Sequence, residues 1–227
     1  IGAALNGMRP VLIHQRDDFM LLAMDQVFNQ AAKIRYASGG RHKVPITILS
    51  FVARKPGEGC QHSQSLHSIF AHFPGVKVGM PTTPIDVKGM LLTAIFDDNP
   101  IIILEHRELF NEVGHVPEGH YETPLSDRMV CKGRHFTLVT ISVAVTDALK
   151  ARDILARKGI YLEIIDLRWL RPLDIAPIIK SVKKTGKLLV VDTGWKSCSI
   201  SSEIVALVAE QAHGFLKCPP RRITLPD

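Results

Sequence analysis

The chain has 227 residues, 46% hydrophobic, 22% charged and 6% aromatic, and its 28 basic against 22 acidic residues leave a formal net charge of +6. This composition excludes a disordered chain and suits a globular protein with one large domain or two medium ones. No run of about 18 uninterrupted apolar residues exists and the first residues lack the zones of a signal peptide, so the expectation is a soluble, cytoplasmic protein with no membrane-spanning helix.

The N-terminus carries no initiator Met, and Ile1, Gly2, Ala3 and Ala4 read as the back end of a buried helix, so the chain is expected to be a truncated form. Val11 to His14 reads as a strand. Asp17 or Asp18 then caps a helix running to about Tyr36, with Phe19, Leu22, Val27, Ala31 and Ile34 on its apolar face and Ser38-Gly39-Gly40 closing it. Val44 to Val52 is a continuous apolar strand. It leads into the glycine-containing loop Pro56-Gly57-Glu58-Gly59-Cys60, a helix from Gln64 to Phe73 and a strand opening at Val76-Lys77-Val78. Thr82 or Thr83 with Pro84 starts a helix that must stop before Pro100, and Ile101 to Leu104 is a buried strand. Periodicity lapses between Glu105 and Arg134, which places an interdomain linker at 108–134, between a first domain of residues 1–107 and a second of 135–227.

The second domain reads as strand Phe136 to Ile141, helix Val143 to Lys158, strand Tyr161 to Leu167, helix Asp174 to Lys184, strand Leu188 to Asp192, helix Ser201 to His213 and strand Arg222 to Leu225. Strands alternating with helices indicate two α/β domains with mostly parallel sheets. Lys180, Lys183, Lys184 and Lys187 fall where a helix ends and suit its dipole. A nucleic-acid surface would interleave basic residues with stacking aromatics, which this chain does not do, so no nucleic-acid partner is expected.

Several chemistries are set aside. Cys60, Cys131, Cys198 and Cys218 have no C-x-x-C spacing and read as reduced thiols, buried or incidental. His62, His67 and His72 step by five residues, about 140° around a helix, so they cannot share the face a metal would need. Gly57-Glu58-Gly59 has His62 where a third glycine belongs, no P-loop is present, and there is no G-x-S-x-G elbow.

The motif Gln61-His62-Ser63-Gln64, following a buried strand and a glycine loop, resembles the beta subunits of pyruvate and branched-chain 2-oxo acid dehydrogenase E1 components. Gly7-Met8-Arg9-Pro10, Asp18-Phe19, Ala23-Met24-Asp25-Gln26, Ala31-Ala32-Lys33, Ser38-Gly39-Gly40, His72 to Val78, Asp97-Asp98-Asn99-Pro100 leading into Glu105, Asp166 to Pro172, and Val191 to Trp195 agree with it in order. The resemblance implies a transketolase-like pyrimidine-binding domain followed by a transketolase C-terminal-like domain. It also implies a thiamine-diphosphate-dependent oxidoreductase that decarboxylates a 2-oxo acid and passes the acyl group to a lipoyl group. Implied partners are an alpha-type E1 subunit, a second beta subunit and a lipoyl-bearing acyltransferase. The cofactor is shared between chains, with Mg²⁺ on the partner, since the diphosphate motif Gly-Asp-Gly with a following Asn is missing here.

By the same resemblance Phe19 and Gln61 bind the cofactor, Phe19 packing against its aminopyrimidine ring. His62 is the catalytic histidine near the mouth of the site. Ile46, Ala94, Asp97 and Asn99 match a potassium site of backbone carbonyls and one carboxylate. The family's catalytic Glu would lie upstream of Ile1, and a helical tail would follow Leu225, so this chain is expected to be inactive alone. Ser50 to Pro56 and the charged Arg16-Asp17 depart from the family pattern and imply a changed pocket rim. Two alternatives stand beside the E1 reading: another thiamine-diphosphate transferase of the transketolase or deoxyxylulose-phosphate synthase type, and a non-catalytic assembly subunit.

Overall fold

A computed structural model describes residues 1–53 and 58–227; the predicted loop residues Pro56 and Gly57, with Arg54 and Lys55 of the rim, lie outside the described residues. The chain divides into two compact units. The first holds residues 1–125 with Leu170–Pro172, and the second holds Ser126–Trp169 and Leu173–Asp227.

In the first unit a short helix, α1 (Gly2–Leu5), precedes strand β1 (Val11–His14). A 3-10 turn (Asp17–Ala23), a π-helical turn (Asp25–Ala31) and helix α2 (Ala32–Ala37) come next in succession. The single straight helix expected from Asp17 to Tyr36 is therefore corrected. The π turn closes i→i+5 hydrogen bonds and rotates α2 relative to the course of a 3.6-residue helix. Met20, Val27, Phe28, Ala31 and Ala32 are buried, while Phe19 and Leu22, both in the 3-10 turn, are 43% and 89% exposed.

Strand β2 (Thr47–Val52), helix α3 (His67–His72), strand β3 (Lys77–Gly79), helix α4 (Pro84–Phe96) and strand β4 (Ile101–His106) complete the unit's frame. Thr83 caps α4 by accepting the Asp86 backbone N–H, and Pro84 sits in the first turn, where its missing N–H loses nothing. Parallel pairing gives the order β1-β2-β4-β3, with Val11 opposite Thr47 and His14 opposite Ser50. Ile101, Ile102, Ile103 and Leu104 on β4 are wholly buried, each contributing about 1.5–3 kcal/mol of transfer free energy to the core. β1 is an edge strand, and Val11, Leu12 and Ile13 remain exposed.

The second unit opens with β5 (Arg128–Cys131), an antiparallel edge strand that the sequence pattern did not announce because its pairing with β7 is broken by a bulge. The remaining elements are β6 (Phe136–Thr140), α5 (Val143–Ala156), β7 (Leu162–Asp166), α6 (Ala176–Thr185), β9 (Leu188–Trp195), α7 (Ile200–Ala212) and β10 (Arg221–Leu225), whereas the short β8 (Trp169–Arg171) follows β3 in the first sheet. The sheet runs β10-β9-β6-β7-β5, parallel except at β5. Gly186 in the left-handed region ends α6, and Lys183 and Lys184 occupy its last turn. Lys184 pairs with Glu163, a carboxylate buried on β7.

All four cysteines are free thiols, and the exposure of Cys60, Cys198 and Cys218 leaves the incidental one of the two readings for these three. No helix among the described residues is long and apolar enough to cross a membrane.

Candidate functional site

Because β1 and β2 run parallel and in register, the segments that leave their C-terminal ends emerge on the same edge of the sheet. Ligands of open α/β sheets bind at that edge. After β1, the 3-10 turn presents Phe19; after β2, a turn over residues 59–63 presents His62, whose N–H donates to the Gly59 carbonyl at 3.1 Å. The two rings meet edge to face, with centroids 5.3 Å apart and planes at 75°. Two residues far apart in sequence thus form one partly exposed surface, an aromatic face beside an imidazole that can donate or accept a proton. Gln61 shares the His62 turn and is exposed, its Oε1 accepting from the Cys60 thiol at 3.1 Å.

The residues that hold this turn were not singled out as functional from sequence. Asp18 Oδ1 accepts from Gln64 Nε2 at 2.8 Å and from the Gln64 backbone N–H at 3.3 Å. Asp17 Oδ2 accepts the Leu66 N–H at 2.8 Å. At the other end of the turn Glu58 pairs with Arg16 and accepts from Arg107 Nη1 at 3.0 and 3.2 Å, while its N–H donates to Ser63 Oγ at 3.1 Å. Burial pushes the Asp17 carboxyl up to about 7, and neighbouring Asp18 adds to the rise; the Leu66 N–H and His67 oppose it. The sequence signals were the family matches Asp18-Phe19 and Gln61-His62-Ser63-Gln64 and the charged Arg16-Asp17, where the family pattern differs.

His67 is wholly buried, its Nδ1 3.2 Å from Ser65 Oγ, and His72 packs edge-on against Phe73. No group of three His, Cys, Asp or Glu among the described residues could hold a metal ion. The predicted potassium ligands lie elsewhere, toward the N-terminal ends of the strands. A six-residue strand such as β2 spans roughly 15–20 Å, which separates them from the Phe19–His62 edge. The Ile46 carbonyl accepts the Ile101 N–H at 3.0 Å, and Ala94 is buried in the last turn of α4. Asp97 Oδ1 accepts from Asn99 N and Nδ2 at 2.8 and 2.7 Å, and its other carboxylate oxygen pairs with Lys77. Burial raises the Asp97 carboxyl, but the Lys77 and Asn99 hydrogen bonds outweigh it and hold the group below its ordinary range. Asn99 Oδ1 accepts from Arg35 at 2.6 Å, and the Asp97 carbonyl from Arg9 at 2.7 Å. The Asp97 carboxylate, the Asn99 side-chain oxygen and the Ile46 and Asp97 carbonyls are thus each already engaged, with Lys77, Arg9 and Arg35 supplying positive charge around them.

The first unit also contains a mostly apolar cavity of about 810 Å³, lined by Phe51, Thr82, Leu91, Glu105, His106 and Phe110 among others, and it shares no lining residue with the Phe19–His62 pair.

Comparison with known proteins bears on both units. Residues 1–112 match the transketolase pyrimidine binding domain, and residues 127–227 match the transketolase C-terminal domain. The chain is 44% identical over 227 residues to the acetoin:2,6-dichlorophenolindophenol oxidoreductase subunit beta of Cupriavidus necator, covering 97% of this chain and 67% of that one. It is 39% identical to the pyruvate dehydrogenase E1 component subunit beta of Bacillus subtilis, and 38% identical to the 2-oxoisovalerate dehydrogenase subunit beta of the same organism. Each covers 100% of this chain, which spans 70% of each relative. Among solved structures, a split gene transketolase, an inactive beta4 tetramer, superposes with a TM-score of 0.80 at 18% identity, covering 100% of this chain and 70% of that one, a likeness of fold.

Proposed function

This chain belongs to the family of thiamine-diphosphate-dependent E1 beta subunits built from transketolase-type pyrimidine-binding and C-terminal domains, and from that premise we propose that it acts with an alpha-type subunit in oxidative cleavage of a 2-oxo acid and acyl transfer to a lipoyl group. The observation that carries the proposal is the edge-to-face pairing of Phe19 and His62 at the C-terminal edge of the first sheet. Thiamine diphosphate supplies the electron sink that makes cleavage next to a carbonyl feasible. Phe19 offers the flat apolar face that a pyrimidine ring requires, and its partial exposure leaves that face accessible. Gln61 adds an amide at the rim of the same turn, and His62 holds or moves a proton beside the reacting carbonyl and assists departure of the acyl group.

The diphosphate and Mg²⁺ end of the cofactor belongs, in this reading, to the alpha-type partner, because the chain has no Gly-Asp-Gly motif with a following Asn. A second beta subunit and a lipoyl-bearing acyltransferase complete the assembly. Potassium at Ile46, Ala94, Asp97 and Asn99 is a structural ion in this proposal. A thermal stability no higher in potassium than in sodium chloride would remove it.

The likeness to the Cupriavidus necator protein, at 44% identity, favours a second reading of the substrate, in which acetoin takes the place of a 2-oxo acid. Dye-linked turnover by the assembled enzyme on pyruvate, branched-chain 2-oxo acids and acetoin separates the two. Activity on the 2-oxo acids supports the first, and activity confined to acetoin supports the second.

A further inference from the structure

We infer that Asp17 is a positioning residue for His62: paired with Asp18, it clasps the segment just beyond the His62 turn, and a proton held on Asp17 keeps the clasp closed against Phe19. The inference rests on the reading of Phe19 and His62 as the reactive edge.

Asp17 is completely buried, and its Oδ2 is committed to the Leu66 N–H. Its Oδ1 is also buried and has no hydrogen-bond donor among the described residues. The group facing it is the neighbouring Asp18 carboxyl, with His67 of α3 the charged or titratable group contributed by the packed helix. Arg16 does not bond to the pair: its Nη2 is held by Glu58, and its buried Nη1 has no hydrogen-bond partner among the described residues. Two adjacent buried carboxyls cannot both ionise without repulsion, and one proton resolves the conflict. A protonated Asp17 Oδ1 becomes a donor to Asp18. Asp18 then stays ionised and keeps accepting the two Gln64 donors. The segment from Gln64 to Leu66 is thereby tied at both of its amide contacts to the turn that carries Phe19.

The carboxyl's rise from its ordinary 3.8 to about 7 agrees with this geometry. A raised folded value means that the closed clasp is fully favoured below about pH 4 and loses stability as pH climbs toward about 7, because the open segment prefers the ionised carboxyl. Asn at position 17 can accept from Leu66 and donate to Asp18, so it reproduces the protonated state at every pH.

The test is amide hydrogen exchange at Gln64 and Leu66, corrected for the intrinsic pH dependence of exchange, in the wild-type protein and in Asp17→Asn. Opening in the wild type should rise at least about tenfold between about pH 5 and pH 7 and stay level in Asp17→Asn. A wild-type profile that is flat over this window overturns the inference without any variant, as does an equal slope in both proteins. In the complex with the alpha-type subunit, acyl transfer should fall more steeply over the same window in the wild type than in Asp17→Asn, with cofactor affinity unchanged. If the exchange behaves as described but the complex shows no thiamine-diphosphate-dependent turnover, the E1 reading fails and the clasp stands.

Discussion

Gly75 sits in the turn between α3 and β3 at φ +96°, and a Cβ built there would lie 2.1 Å from the Ala32 carbonyl oxygen and 3.0 Å from its carbon. Both obstacles are backbone atoms, so no side-chain rotation can relieve them. Gly75→Ala therefore incurs about 1–2 kcal/mol for a left-handed residue with a Cβ, and about 1–3 kcal/mol for forcing apart the π-turn–α2 segment and the turn before β3. The sum, roughly 2–5 kcal/mol, is a large part of a domain's net stability. Urea unfolding monitored by circular dichroism, with the two units resolved as separate transitions where they separate, should show the loss confined to the first unit. A loss below about 0.5 kcal/mol, the level of an ordinary surface substitution, would refute the close approach of Gly75 to Ala32.

His62→Ala in the assembled enzyme should lower acyl transfer by about 10²–10⁴-fold, the range of a lost general acid–base group, and leave the cofactor dissociation constant almost unchanged; equal losses in both would reassign the residue. Phe19→Ala should instead weaken cofactor binding, by about 0.5–1.5 kcal/mol or more as an aromatic contact and its buried area are lost, as read by calorimetric titration. In the second unit, burial pushes the Asp127 carboxyl up to about 8, with Asp174 and Asp166 adding to the rise and Arg168 opposing it. Both Asp127 oxygens are buried and have no hydrogen-bond partner among the described residues. Its folded value is raised, so stability is fully present below about pH 4 and declines as pH rises toward about 8. Asp127→Asn should accordingly raise the melting temperature at neutral pH, with the gain vanishing near pH 4, and a gain independent of pH would contradict the assignment.

Much of the fold was legible because parallel sheets leave simple traces. The apolar runs at Val44 to Val52 and Ile101 to Leu104 marked buried strands, although β2 begins only at Thr47, and Thr83-Pro84 with Pro100 bracketed α4. The 3-10 turn at Asp17–Ala23, where Phe19 and Leu22 lie exposed, and the π turn at Asp25–Ala31 were not legible, since nothing in a 3.6-residue pattern signals i→i+3 or i→i+5 bonds. β5 was hidden for a different reason: a bulged antiparallel edge strand lacks the alternation of a regular one. At the site, Phe19 and His62 were reached through the family resemblance, and their proximity stems from the register of β1 and β2. The supporting carboxylates were beyond reach. Asp17 and Asp18 read as helix caps, and only the folded chain shows that they bond to Leu66 and Gln64, which are remote in sequence.

The measurement closest to the central claim is turnover by the gene product co-expressed with an alpha-type subunit, assayed with a dye acceptor in the presence and absence of thiamine diphosphate and of each chain. Activity that requires the cofactor and both chains, and that is lost in His62→Ala, is the predicted result. Undiminished turnover by this chain in the absence of the alpha-type subunit would contradict the division of the site between two subunits.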